Sequence, residues 1–311
     1  MKPMINLGLP KNLITYLKIA LIKLLSSAFQ ALGVLWFVIQ IANYFFSDLE
    51  CVKKIPDYWE FFLLFGIIVG LYKLCTQFKI NKRIGGKDVD IEIKIGDIFR
   101  SNQAIVIGCN TTFDISLSKN IISKKSIQGQ YLKKYFRSEN ELETQIETEL
   151  SNLNVLKEKT KEEKPSGNLK EYEIGTTIFI GEKRKAYLVA ITKLNEHNTT
   201  KINDNDFFDI LPKIWNDIRL KGNMENIDCP ILGSGFSRLR SNRQELLIEL
   251  IRSFIVATHE GKLTEKITFY ISPKDFIKGH IDMNTINQIL EYECKSRYIP
   301  ERRNSITGTP I

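Results

Sequence analysis

Cysteine and histidine are scarce. The chain has five cysteines (51, 75, 109, 229, 294) and three histidines (197, 259, 280) in 311 residues. No close spacing suggests a zinc site, and no cysteine framework suggests disulfide staples, so the sequence implies no metal and no crosslinked scaffold. No internal repeat is visible. Charge is missing altogether from residues 24–47, LLSSAFQALGVLWFVIQIANYFFS. Over the whole chain the composition, 43% hydrophobic and 26% charged, is that of a folded protein with one large domain or two smaller ones.

The uncharged run is long enough to cross a hydrocarbon core of about 30 Å as a helix. A second apolar stretch, residues 58–78, carries Glu60 near one end and Lys73 near the other, where long side chains reach the interface. A buried core helix is the other reading of that stretch. A cleaved signal peptide fits poorly, because its apolar region would be only about 7–15 residues. Lys2, Lys11, Lys18 and Lys23 precede the first span, and Lys73, Lys79, Lys82, Arg83 and Lys87 lie at or beyond the end of the second. The positive-inside rule then places both termini in the cytoplasm and the connector 47–57 outside. The stretch before the first span either lies along the interface as an amphipathic helix or extends the span.

The net charge of +8 would suggest nucleic acid, but it is unevenly spread. Residues 1–88 hold 11 Lys/Arg and 5 Asp/Glu, which leaves 33 and 31 for residues 89–311. The basic excess therefore belongs to the membrane region, and no nucleic-acid partner is expected.

Beyond a basic linker (79–88), short apolar runs alternate with helical patterns. VDIEIKIGD and QAIVIGCN read as strands, and SIQGQYLKKYF as a helix. Ser138 and Glu141 form an S-x-x-E capping signal before a helix with Leu142, Ile146, Leu150 and Leu153 on one face. KEKTKEEKPSGN reads as a charged loop, TTIFIGE and AYLVAITK as paired strands, and DFFDILPKIWNDIRL as a helix. IDCPILGSG, RQELLIELIRSFIVATHEG, KITFYISP and MNTINQILEYECKS follow as strand, helix, strand and helix, and 293–311 as a tail. The order implies an α/β/α domain over 89–292 with a mixed, mostly parallel sheet and a ligand site beyond the strand C-termini.

The glycine loop in CPILGSGFSRL, between a strand and a helix, can turn several backbone N–H groups toward an anion such as phosphate. A turn that simply needs positive φ explains the glycines equally well. In chain order, IKIGDIFRSNQAIVIGCN, EIGTTIFIGEKRKAYLVAITK and CPILGSGFSRL together resemble the macro-domain family, over about residues 89–292. The resemblance implies binding of ADP-ribose or a derivative. Asp97, with Ile98 beside it, would meet the adenine amino group, with a turn residue as the other reading. Asn110 would lie near the distal ribose, or else cap the strand end. Gly233, Ser234, Gly235 and Phe236, followed by Ser237 and Arg238, would form the loop holding the diphosphate, with Phe236 alternatively a core aromatic.

The departures from the family pattern also bear on function. Ile107 replaces the first asparagine, and DISLSKNIISKKSIQG replaces the glycine-rich loop. If Ser126–Gly129 align with the family's Gly-Val-Asp-Gly, then Ser126, Gln128 and Gly129 line the site. Gln128 would stand where some members carry an acidic residue linked to hydrolysis, and an amide cannot act as a general base. Ser237 replaces a tyrosine that packs on the distal ribose. No catalytic residue and no cofactor is therefore expected.

A two-helix membrane anchor joined to a macro domain resembles the membrane effector of Thoeris-type bacterial antiphage systems. That resemblance implies a signal derived from ADP-ribose and made by a TIR-domain enzyme, in the macro-containing type a histidine–ADP-ribose conjugate. It also implies a homo-oligomer at the inner membrane that disrupts the bilayer by abortive infection. A membrane-anchored ADP-ribosyl hydrolase and a passive adaptor are the rival readings.

Overall fold

The structure is a computed structural model of the 311-residue chain and describes residues 11–47, 49–194, 200–201, 204–234 and 242–295. The helices are α1 (Lys11–Phe45), α2 (Glu50–Lys53), α3 (Trp59–Gln77), α4 (Ile127–Tyr135), α5 (Glu139–Leu150), α6 (Asp204–Lys221), α7 (Arg243–Glu260), α8 (Pro273–Ile277) and α9 (Met283–Lys295). The strands are β1 (Lys79–Arg83), β2 (Asp90–Ile95), β3 (Ala104–Asn110), β4 (Lys157–Glu158), β5 (Lys170–Glu171), β6 (Thr177–Ile180), β7 (Ala186–Leu194), β8 (Thr200–Lys201), β9 (Ile227–Pro230) and β10 (Lys266–Ile271). The chain divides into two compact units. One comprises Met1–Ile80, Ile93–Asp97 and Tyr270–Met283, and the other Asn81–Glu92, Ile98–Phe269 and Asn284–Ile311.

In the first unit, Leu24–Phe45 is, among the described residues, the one helical segment long and apolar enough to cross a membrane. The second expected span is only partly so: α3 has 19 residues, but its apolar part, Trp59–Tyr72, is shorter than the run of about 20 that a full crossing needs and includes Glu60. The two helices pack closely. A Cβ added at Gly70 would lie 2.9 Å from the Leu24 carbonyl oxygen and 3.5 Å from Ala28, and one at Gly66 would lie 2.9 Å from Leu32. The Gly-x-x-x-Gly pair thus serves the α1–α3 contact within one chain. Outside that contact both helices expose large apolar side chains, among them Phe29, Trp36, Phe61 and Ile68.

Strands run in the order β1-β2-β10-β9-β3-β7-β6, with β8 paired to β7. β3 is parallel to both β7 and β9, whereas β6 and β8 are antiparallel to β7, so the sheet is mixed. The continuous run Ala104–Ile107 is buried on both alternating faces, as expected of a strand covered on each side. In the second unit, α6 and α7 meet through Trp215 and Phe254, whose rings stand edge to face at 5.4 Å, and Phe254 reaches Phe269 on β10.

The expected helices form with local reasons for their limits. Ser138 caps α5 by accepting from the Glu141 N–H, while the Glu141 carboxylate accepts from Arg137 N–H instead of closing back on Ser138. Leu142, Ile146 and Leu150 are buried as anticipated, but Leu153 falls beyond the helix end. The stretch read as linker contains strand β1, because Ile80 and Ile84 bury side chains that the surrounding basic residues obscure.

Candidate functional site

Because β3 and β9 are adjacent and parallel, their C-terminal ends lie at the same edge of the sheet. Asn110 ends β3, and Ile231–Ser234 follows β9. Ser234 donates from its N–H at 3.3 Å and its hydroxyl at 2.6 Å to the Ile231 carbonyl, closing a tight turn. Gly233 sits in that turn at φ 76°, a left-handed conformation that glycine adopts without strain. Arg243, the first residue of α7, donates at 3.1 Å to the Ser234 carbonyl. The reading of a glycine turn at this strand end holds for Gly233 and Ser234; Gly235, Phe236, Ser237 and Arg238 lie outside the described residues.

The N-terminus of α7 is self-capped. Asn242 accepts from Glu245 N–H, and Glu245 accepts from Asn242 N–H. Two of the donors that a helix end would offer an anion are thereby occupied.

Asn110 is buried, and its side chain is engaged within the chain. Its oxygen accepts from Thr112 N–H and Asp114 N–H, while Nδ2 donates to Asp114 Oδ2 at 3.0 Å. The strand-end cap considered for this residue is therefore formed. At the centre of the cluster is an ion pair that no sequence pattern announced: Lys164 and Asp114, each 1% exposed, with Nζ 2.5 Å from Oδ2. Lys164 also donates to Thr112 Oγ1 and the Asn168 carbonyl, both at 2.6 Å. Burial lowers the Lys164 pKa from its ordinary value, and the Asp114 charge opposes that shift. Asp114 Oδ1 accepts from Asn168 N–H at 2.7 Å. A side chain at Gly167, φ 90°, would fall 2.1 Å from the same oxygen, so this approach requires glycine.

These bonds fasten segment 157–171, which includes the β4–β5 hairpin, across the end of β3. Tyr172 N–H donates to the Thr111 carbonyl, and Thr111 Oγ1 donates to Glu171. Phe113 is fully buried at φ 50°, an unusual backbone for a bulky residue, and stacks edge to face on Tyr172 at 5.8 Å. Such strain concentrates at functional positions and persists only where packing holds it.

Ser126, Gln128 and Gly129 open α4 beside this cluster. Ser126 is the N-cap and accepts from Gly129 N–H at 3.0 Å. Gln128 is buried and donates from Nε2 to the Asp114 carbonyl at 2.9 Å. Gly129 packs so closely that an added Cβ would lie 2.3 Å from the Ser123 carbonyl oxygen. The preceding loop is tied to α5 by Glu139, whose carboxylate accepts from the N–H groups of Leu117 and Ser118 and the hydroxyls of Ser116 and Ser118. Asp97 lies exposed in the turn after β2 and belongs to the first unit, whereas Ile98 is buried in the one-turn helix that follows. No group of metal-ligating side chains occurs among the described residues.

The opposite ends of the same parallel strands are closed by a second buried pair. Arg184 meets Asp228 at 2.7 Å, both 1% exposed, and also donates to the carbonyls of Gln103 and Ile98. Each nitrogen of that guanidinium has a protein acceptor, which marks it as a structural tie.

A family model described as "Thoeris protein ThsA, Macro domain" matches residues 91–272, more than half of the 311-residue chain. The Thoeris protein ThsA of Bacillus amyloliquefaciens (strain Y2) is 27% identical over 219 residues, which cover 68% of this chain and 71% of that protein. Among solved structures, a mutant Oceanobacillus iheyensis macrodomain is 14% identical with a TM-score of 0.45, covering 69% of this chain and 96% of that one. A Trypanosoma brucei macrodomain in complex with ADP-ribose is 12% identical with a TM-score of 0.40, covering 66% and 74%. The chain accordingly belongs to the family of the Thoeris protein ThsA macro domain.

Proposed function

We propose that the chain is a membrane-anchored effector whose macro domain binds an ADP-ribose-derived signal, of the histidine–ADP-ribose type, made by a TIR-domain enzyme during phage defence. The observation that carries this reading is that a ThsA-family macro domain ends its adjacent parallel strands β3 and β9 in Asn110 and the Gly233–Ser234 turn. Ligands of open α/β sheets bind outside the strand C-termini. Donors in the turn would meet the diphosphate, and the Asn110–Asp114–Lys164 cluster would bound the far end of the site. Gln128 favours binding over hydrolysis, since its amide is committed to the Asp114 carbonyl and has no basic lone pair to activate water.

On binding, α1 and α3 would perturb the bilayer from a homo-oligomer with both termini in the cytoplasm. This requires ligand to favour the assembled state over the resting one. Calorimetry on the full chain in detergent, with ADP-ribose and its histidine conjugate, tests the binding step. Saturable binding, lost in a folded Gly233→Val variant, is expected. No binding of either compound removes the reading, and conversion of the ligand, followed by mass spectrometry, favours the hydrolase instead. Dye-loaded proteoliposomes test the second step: ligand should release the dye, and intact vesicles under saturating ligand would leave a sensor without membrane activity.

A further inference from the structure

The α1 helix has two unlike faces. Leu24, Ala28 and Leu32 lie against Gly66 and Gly70 of α3. On the other side Ser26, Gln30, Gly33, Phe37, Gln40 and Tyr44 are all exposed. Their spacing of 4, 3, 4, 3 and 4 keeps them within about 40° of one line on the helix, opposite the α3 contact. That is a heptad seam, the pattern by which parallel helices pack knobs into holes. A side chain at Gly33 would meet no atom within 4 Å, so another helix can approach closely there.

Two of the seam positions are carboxamides inside the apolar segment Leu24–Phe45. Gln30 and Gln40 sit almost symmetrically about its middle, about 15 Å apart along the axis. Hydrocarbon offers a carboxamide no hydrogen bond, so polar side chains in a span face protein or water. The α3 helix differs: from Phe61 to Leu71 it carries no polar side chain, so its exposed surface suits lipid.

We propose that this seam docks on α1 of a second copy of the chain, parallel and in register, with Gln30 against its counterpart and Gln40 against its counterpart. A second copy fits because a carboxamide both donates and accepts, which makes the stripe self-complementary. Copies inserted with the same topology also present the two glutamines at matching depths. Polar residues at seam positions set register and orientation as well as affinity. The inference rests on the membrane reading above and adds the contact by which copies associate.

Oxidative crosslinking of the full chain in native membranes tests it. Gly33→Cys should give a disulfide-linked dimer above the background of the unaltered chain, whereas Leu32→Cys, on the face toward α3, should not. Replacing Gln30 and Gln40 together by leucine should leave the protein membrane-embedded and weaken the dimer by roughly 3- to 20-fold for each interhelical bond lost. Carbonate washing separates the two ways of failing. If the unaltered chain washes out, the membrane reading falls and the seam with it. If it stays embedded but Gly33→Cys crosslinks no more than Leu32→Cys, the seam is not the contact.

Discussion

Replacing Lys164 by methionine should unfold the macro domain more readily than any surface change. The substitution preserves most of the side-chain volume and removes the cation that faces Asp114 across 2.5 Å in a fully buried setting. Breaking one side of a buried ion pair costs about 3–5 kcal/mol, because the remaining charge is left uncompensated. Here the carboxylate keeps neutral donors from Asn168 N–H, Asn110 Nδ2 and Thr112 Oγ1, at 2.7, 3.0 and 2.7 Å. The loss therefore belongs near about 3 kcal/mol, the lower end of that range. For a domain of this size that corresponds to roughly 6–12 °C in unfolding midpoint. Thermal unfolding of the full chain in detergent, followed by tryptophan fluorescence, measures it. Adding Asp114→Asn to Lys164→Met should recover much of the loss, because no buried charge then stands alone, and the cycle should give a coupling energy above about 1 kcal/mol. A single variant within about 3 °C of the unaltered chain, with additive effects in the double variant, would refute the account of the pair as the clasp of segment 157–171.

Gly129→Ala reverses a familiar sign: alanine usually stabilises a helix over glycine by about 0.5–1 kcal/mol, but here the new Cβ would meet the Ser123 carbonyl oxygen at 2.3 Å, so denaturant titration should show a loss. Burial raises the Glu139 pKa, but the four donors from Ser116, Leu117 and Ser118 outweigh it and hold the group below the ordinary glutamate value. Its contribution to stability is then present above pH of about 4.3 and lost as pH falls through the folded pKa, so Glu139→Gln should flatten the acid limb of a stability–pH profile. Gly70→Leu should lower the melting midpoint of α1 with α3 in detergent, since its Cβ falls 2.9 Å from the Leu24 carbonyl oxygen, while Gly33→Leu should leave it in place.

The fold was largely readable wherever one period ran long enough to dominate. AIVIGCN has no polar break before its last residue and became the buried strand β3, and RQELLIELIRSFIVATHE became α7 with a complete capping box. Elements set by tertiary pairing were not readable. Strands β4 and β5 have two residues each, and they exist because Leu156 and Lys159 N–H find the carbonyls of Glu171 and Leu169. The short helix α8 begins at Pro273 after the N-cap Ser272, a start signal hidden behind the apolar strand before it.

At the ends of β3 and β9 the glycine turn was readable and the buried ion pair was not, for a reason that the charged loop KEKTKEEKPSGN makes plain. Its lysines look alike in sequence, and a solvated face is the ordinary fate of such a run. Lys157 indeed stays at the surface, paired with Glu163, whereas Lys164 is turned inward onto Asp114. What selects Lys164 is its position one residue before Pro165 and three before Gly167. That turn carries Asn168 N–H onto one Asp114 oxygen while the lysine takes the other. The signal is thus a relation between residues 50 positions apart, set by where β3 ends and not by the composition of either segment. The same relation explains Asn110: a strand-end asparagine looks like a ligand contact in one dimension, yet in the fold its amide orders the turn that brings Asp114 to Lys164. Under the proposed function, Asn110 and Gly233 would then act on a ligand in different ways, the glycine turn by direct approach and the asparagine by holding the shape of the strand end.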